Sequence, residues 1–164
     1  MYGLKVSKTP SIGSPAPDFT LGGVQLVDGS PVRAEFALSA ERGHPVLVVF
    51  YPGDETRVCT EQLCSYNSEL AQFTELGCTV WAISLQDLDS HERFARKEGL
   101  SFPLLEGTAT VVSDYGIGMP GLGLRRSVFL IDAAGLVRWK HVALVGATFQ
   151  NVDTLRRQLE LLAV

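Results

Sequence analysis

The run PVLVVFY, residues 45–51, limits the possible folds more than any other stretch of the chain. It has no alternation of polar and apolar residues, so both faces of the strand it predicts must be covered. A Pro52-Gly53-Asp54 turn follows it. Beyond the turn, Cys59, Leu63, Tyr66, Leu70, Phe73 and Leu76 recur at spacings of 4, 3, 4, 3 and 3. This is one face of a helix running to Gly77. CTVWAISL, residues 78–85, reads as a second doubly covered strand. Two such strands joined by a helix form a β-α-β unit, so the chain needs helices on its sheet.

The remaining segments fit that unit. After an irregular lead-in over residues 1–18, FTLGGVQLVDGSPV predicts a β-hairpin, with Asp28-Gly29 at its turn. Asp89 and Glu92 have the spacing of a capping box, which opens a helix that stops at Gly99. SFPLLE predicts a short strand and TATVVSDYG a short helix. SVFLID and LVRWKHV flank Ala133-Ala134-Gly135, which predicts another hairpin. A closing helix, NVDTLRRQLELL, has Leu155, Leu159 and Leu162 on its buried face. The fold class expected is an α/β sandwich, in one domain over residues 1–164.

A net charge of −4 gives no attraction to nucleic acid or to an anionic membrane surface. No run of apolar residues approaches membrane-spanning length, and the first residues lack the pattern of a signal peptide. The expected setting is cytoplasmic, where thiols stay reduced. There a close cysteine pair is more often catalytic, redox-active or metal-binding than a structural bridge.

The chain has three cysteines, and two of them, Cys59 and Cys64, sit five residues apart on the first helix. In the first turn, unpaired backbone N–H groups favour an anion, so Cys59 is expected to be a reactive thiolate. Its place on the apolar stripe predicts partial exposure at the bottom of a small pocket. In an ideal helix its Cα lies roughly 8–9 Å from that of Cys64. A disulfide needs about 4.4–6.8 Å. The pair can therefore join only when the first turns unwind. A zinc site is a competing reading of C-x4-C, but His44, His91 and His141 are scattered and no second ligand pair is evident. No metal or cofactor is expected. Cys78, at the start of a central strand, is read as a packing residue.

YPGDETRVCT contains P-x-x-x-T-x-x-C, with Pro52, Thr56 and Cys59 in the three places. It resembles the active-site loop of the peroxiredoxins. IGSPAPDFTL, FYPGD, AISLQDLDSHERFARKEGLSFPLL, YGI and RSVFLIDAAGLV extend the likeness over most of the chain. The C-x4-C spacing is most similar to the Q-type subgroup, also known as bacterioferritin comigratory protein. One departure is Arg57-Val58, where that subgroup usually has Pro-Gly.

The resemblance implies a thioredoxin-like fold with a central mixed sheet flanked by helices. It also implies peroxide reduction by Cys59, resolution by Cys64, and regeneration by thioredoxin or a similar dithiol. Thr56 is expected to hold the thiolate or a peroxide oxygen, and Pro52 to cap the pocket. An arginine on a later strand is implied in the pattern R-x-x-F. Arg126, ahead of Phe129, matches; Arg125 is the rival, and the two would face opposite sides of a strand. The subgroup implies a monomer, with a dimer as the alternative. A thioredoxin-like disulfide oxidoreductase, a thiol redox sensor and a Cys-His hydrolase are the other readings. GIGMPG, residues 116–121, spells G-x-G-x-x-G, but Pro120 interrupts it and a strand follows, so a loop leading to Arg126 is expected instead of a dinucleotide site.

Overall fold

The computed structural model describes residues 8–119, 121, 123–143 and 148–162. Pro120 and the first seven residues of the lead-in lie outside them. Seven strands form one mixed sheet: β1 (Thr20–Val27), β2 (Ser30–Ala37), β3 (Val46–Phe50), β4 (Thr79–Ser84), β5 (Leu104–Glu106), β8 (Ser127–Ile131) and β9 (Val137–Val142). Their order across the sheet is β2-β1-β5-β4-β3-β8-β9. β3, β4 and β5 run parallel, and the outer pairings are antiparallel. The helices are α1 (Arg57–Ser68), α2 (Leu70–Glu75), α3 (Leu88–Glu98), α4 (Ala109–Asp114) and α5 (Val152–Leu161), and a 3-10 turn spans Leu38–Glu41.

The apolar run of β3 divides by parity, because successive side chains leave opposite faces of a strand. Leu47, Val49 and Tyr51 join one core with Leu63 and Tyr66 of α1, Phe94 of α3 and Leu155 of α5. Val46, Val48 and Phe50 join a second core with Val111 and Val112 of α4, Tyr115 and Phe129. All five residues of β3 are buried. The reading of an α/β sandwich with a mixed sheet between helices therefore holds.

The first hairpin also forms as expected. Asp28 and Gly29 both have positive φ, at 51° and 78°. That pair matches a type I′ turn, whose twist suits two antiparallel strands. Further along β1, Gly23 is needed for close approach. A Cβ there would lie 2.4 Å from Leu105 Cδ2 and 2.8 Å from the Phe36 ring. Gly23→Ala is expected to cost about 1–3 kcal/mol of stability by overpacking, seen as a lower urea midpoint with an unchanged slope.

Three elements differ from the sequence reading. The helix expected to run to Gly77 breaks at Glu69, whose φ of −112° and ψ of 17° are not helical. Leu76, at the far end of the expected stripe, is exposed. The cap of α3 is Asp87, whose side chain accepts from Ser90 N, so Asp89 falls inside the first turn. Asp89 instead pairs with Arg33 of β2 at 2.6 Å. The stretch around GIGMPG makes a small ribbon of β6 (Gly118–Met119) with β7 (Gly123–Leu124), where a plain loop was expected. It follows α4 and opens no helix.

Candidate active site

β3 ends at Phe50, and Tyr51 to Thr56 carry the chain from the end of this interior strand into α1. Thr56 occupies the N-cap position with extended backbone, but its side chain makes no capping bond. Its hydroxyl donates to the Gly53 carbonyl at 3.0 Å. The Thr56 proton is thus committed to the turn, and only its lone pairs remain to face a reactant. A hydroxyl so placed still has acceptor capacity for a peroxide oxygen, one of the two roles expected of it. By contrast, α3, α4 and α5 each have a side-chain cap, from Asp87, Thr108 and Asn151. At α1 the first backbone N–H groups have no such cap, and the positive end of the helix is left for another acceptor.

Cys59 lies in that first turn and is 1 % exposed. It was expected to be partly exposed, and the structure buries it because the stripe of α1, with Leu63 and Tyr66, packs into the core that holds Tyr51, Phe94 and Leu155. Arg126 is 4 % exposed, and its Nη2 donates to Cys59 Sγ at 3.3 Å. Its Nη1 donates to Gln62 Oε1. Gln62 Nε2 donates to the Tyr66 hydroxyl at 3.2 Å, which in turn donates to the Gln150 carbonyl at 2.6 Å. Burial pushes the Tyr66 hydroxyl up to about 12, against opposing effects of Gln62 and Arg126, so it stays a neutral donor. A guanidinium is therefore aimed at a buried sulfur by a line of polar groups.

Of the two arginines, it is Arg126 that the structure places beside Cys59. Both precede β8 by one or two residues, so neither is on the strand itself. Arg126 extends the sheet ladder, since its carbonyl accepts from Ala143 N at 2.9 Å. Strand parity then turns its side chain toward the core that contains α1, while Arg125 is only half-buried. Gln62 was missed by the sequence reading, although it lies three residues after Cys59 and so on the same helical face.

Cys64 stands apart from this group. It is half-buried, and its Sγ donates to Glu98 Oε2 at 3.5 Å. Burial and the neighbouring Glu98 carboxylate push its thiol up. Asn67, three residues further along the same side of the helix, binds the end of α3: its Nδ2 donates to the Gly99 carbonyl at 3.0 Å and its Oδ1 accepts from Ser101 N at 2.8 Å. All three cysteines are free thiols. α1 is continuous through Cys59 and Cys64, so the helical separation that forbids a disulfide applies to this conformation. Cys78 is buried in the main core, as expected of a packing residue.

Pro52 follows Tyr51 directly, and its carbonyl accepts from Gln86 Nε2 at 3.5 Å. Arg57, at the position of the departure from Pro-Gly, points into solvent and pairs with Glu61 at 3.4 Å. Among the described residues, no group of three or more His, Cys, Asp or Glu side chains could hold a metal ion, and no helix is long and apolar enough to cross a membrane.

The AhpC/TSA family pattern matches residues 12–140. Peroxiredoxin Q, chloroplastic, of Oryza sativa subsp. japonica is 37 % identical over 138 residues, which cover 82 % of this chain and 58 % of that protein. The chain thus spans less than two thirds of that relative's length. Peroxiredoxin-2 of Rattus norvegicus is 38 % identical over 136 residues, covering 77 % of this chain and 67 % of that protein. Among solved structures, the reduced 2-Cys peroxiredoxin of Plasmodium vivax superposes with a TM-score of 0.86 at 25 % identity, covering 94 % of this chain and 83 % of that one. AhpC of Mycobacterium tuberculosis, at 18 % identity and a TM-score of 0.84 over 94 % of both chains, shares the fold.

Proposed function

The chain belongs to the AhpC/TSA family, with Q-type peroxiredoxins among its relatives, and on that premise we propose that it reduces hydrogen peroxide and organic hydroperoxides through Cys59. The observation that carries this reading is the 3.3 Å contact between Arg126 Nη2 and Cys59 Sγ at the uncapped start of α1. A guanidinium cannot lose its proton in a protein, so it offers a permanent positive charge to a thiolate. The same charge faces the oxygens of a peroxide brought against the sulfur.

In the first step the Cys59 thiolate attacks one peroxide oxygen. An S–O bond forms, the O–O bond breaks, and the leaving oxygen takes a proton to become water or an alcohol. Sulfur loses two electrons and the peroxide gains them, leaving Cys59 as a sulfenic acid. Arg126 and the first N–H groups of α1 stabilise the charge spreading onto the leaving oxygen. The Thr56 lone pairs accept from a protonated peroxide oxygen and orient it. Pro52, without an N–H, limits the access of water to the oxidised sulfur.

In the second step α1 unwinds and Cys64 attacks the sulfenic sulfur. An S–S bond forms, the S–O bond breaks and water leaves. Thioredoxin or a similar dithiol then reduces the disulfide by exchange. Such a cycle suits a compartment that keeps thiols reduced, which favours the cytoplasm. The chain acts in this scheme without a bound cofactor.

The test is NADPH consumption coupled through thioredoxin and its reductase, with hydrogen peroxide and with an alkyl hydroperoxide as substrates. Steady turnover is expected with both, and mass mapping of the oxidised chain is expected to show Cys59 joined to Cys64. Cys64→Ser is expected to consume about one equivalent of peroxide and then stall, with turnover reduced at least a hundredfold, roughly. If recycling continued at the normal rate in that variant, another thiol would be the resolving group.

A further inference from the structure

Behind the catalytic loop lies a buried polar cluster that the reaction above leaves unused. His91 of α3 is fully buried, and the Asp54 side chain is almost so. His91 Nδ1 lies 2.6 Å from Asp54 Oδ2, and His91 Nε2 donates to the Leu105 carbonyl of β5 at 3.0 Å. Both ring nitrogens face oxygens, so a doubly protonated ring against a carboxylate satisfies the pair. The Tyr51 hydroxyl donates to Asp54 Oδ1 at 2.6 Å, and the Ser90 hydroxyl donates to Asp54 Oδ2 at 2.8 Å.

Resting on the reading of Cys59 as the peroxide-reactive thiol, we propose that the His91–Asp54 pair is a positioning device that holds the Pro52–Thr56 loop in its reactive geometry. Asp54 is the one loop residue tied to three elements at once. It reaches the end of β3 through Tyr51, α3 through Ser90 and His91, and β5 through the far nitrogen of His91. Its backbone N–H is held too, by Gln86 Oε1 at 3.1 Å. Gln86 also reaches the Pro52 carbonyl through Nε2. The loop is thus fixed at residues 52 and 54.

The next residue shows what the tether opposes. Glu55 has a φ of 59°, a left-handed conformation that a residue with a Cβ adopts at a cost. Such strain persists only where the surroundings over-determine it. Glu55 leads directly into Thr56 and α1, so relaxing it would move the start of the helix and Cys59 with it. A misplacement of about 1 Å at a reacting centre can cost roughly a hundredfold in rate.

A buried ion pair is weak evidence for stability as such, because desolvation offsets much of its attraction. Its directional bonds are another matter, since an apolar pair of equal volume would fill the space without fixing the loop. The electrostatics agree with a carboxylate at this place. Burial acts to raise the Asp54 carboxyl, but its contacts with His91, Tyr51 and Ser90 outweigh that and leave it lowered. Burial and the Asp54 charge push the Tyr51 hydroxyl well up, so it remains a donor, and the Cys59 charge acts on it in the same direction.

The test is the rate of Cys59 oxidation by hydrogen peroxide in a Cys64→Ser background, followed by stopped flow and sulfenate trapping. The His91→Gln/Asp54→Asn double variant removes both charges together and keeps polar groups of similar size. The expected result is a fall of about 10- to 100-fold in the second-order rate constant. Amide exchange is expected to speed up at residues 53–60 and to stay unchanged in β3, β4 and β8. Ser90→Ala removes one donor to Asp54 without stranding a charge, and a loss of about threefold or more is expected. It decides the matter if the double variant does not fold. A folded double variant reacting within about twofold of the parent, or exchange that rises evenly over the whole sheet, would overturn the proposal. If the parent itself fails to form sulfenate, the peroxidase reading falls, which is a separate outcome.

Discussion

Cys59→Ser is expected to take peroxide turnover down to the buffer background, a loss of roughly a thousandfold or more. A serine hydroxyl is not ionised near neutral pH and is a far weaker nucleophile than a thiolate. Arg126 would then face a neutral oxygen, and the contact that carries the proposed chemistry would be lost. No other thiol is placed to take over. Burial pushes the Cys78 thiol up to about 12, so it stays protonated in the folded chain. Cys64 is held by Glu98 on another side of α1. Thioredoxin-coupled turnover and single-turnover peroxide consumption both report the loss. Turnover near that of the parent chain would reassign the nucleophile.

Arg126→Met is expected to lower the rate of Cys59 oxidation by about 10²- to 10³-fold, the range seen when one preorganised donor is removed from a developing anion. Methionine keeps most of the volume, so the change is mainly one of charge and donors. Alkylation of Cys59 by iodoacetamide is expected to slow as well, because that reaction also needs the thiolate. Arg126→Lys keeps the charge but cannot bridge Cys59 and Gln62 with two N–H groups. It is expected to recover part of the rate and not all of it. Equal oxidation and alkylation rates in Arg126→Met and the parent would remove the guanidinium from the mechanism.

Much of this site is readable from local pattern. The unbroken apolar run of β3, the turn after it and the stripe beginning at Cys59 place that thiol at the mouth of a helix. The two hairpins follow from Asp28-Gly29 and from Ala133-Ala134-Gly135. Where contacts over long sequence distances decide, the pattern gives less. His91 looks scattered in the sequence, since its partner Asp54 is 37 residues away and meets it only through packing of α3 on the sheet. Gln62 reads as one more polar residue in α1 until Arg126, the residue just before β8, arrives beside it.

The cap of α3 depends on a shift of two residues between similar acids. Asp87 wins because its carboxylate reaches Ser90 N, and Asp89 is drawn outward by Arg33. The break between α1 and α2 has no glycine or proline to announce it, and Glu69 is an ordinary helix former. Arg125 and Arg126 could not be ranked by composition. The ladder position of the Arg126 carbonyl opposite Ala143 assigns each its side.

The missing cap on α1, together with the break at Glu69, has a kinetic consequence. A side-chain cap contributes about 1 kcal/mol, so its absence leaves α1 easier to melt from its first turn than its capped neighbours. The interruption lets twelve residues let go without pulling α2 off the sheet. Helix-coil relaxation takes about 0.1–1 μs. At micromolar oxidant, even diffusion-limited encounters come only once in about 1–10 ms. In the proposed cycle the two sulfurs would have about a thousand chances or more to meet before a second oxidant molecule arrives, so a helix loosely fastened at one end would spare Cys59 irreversible damage.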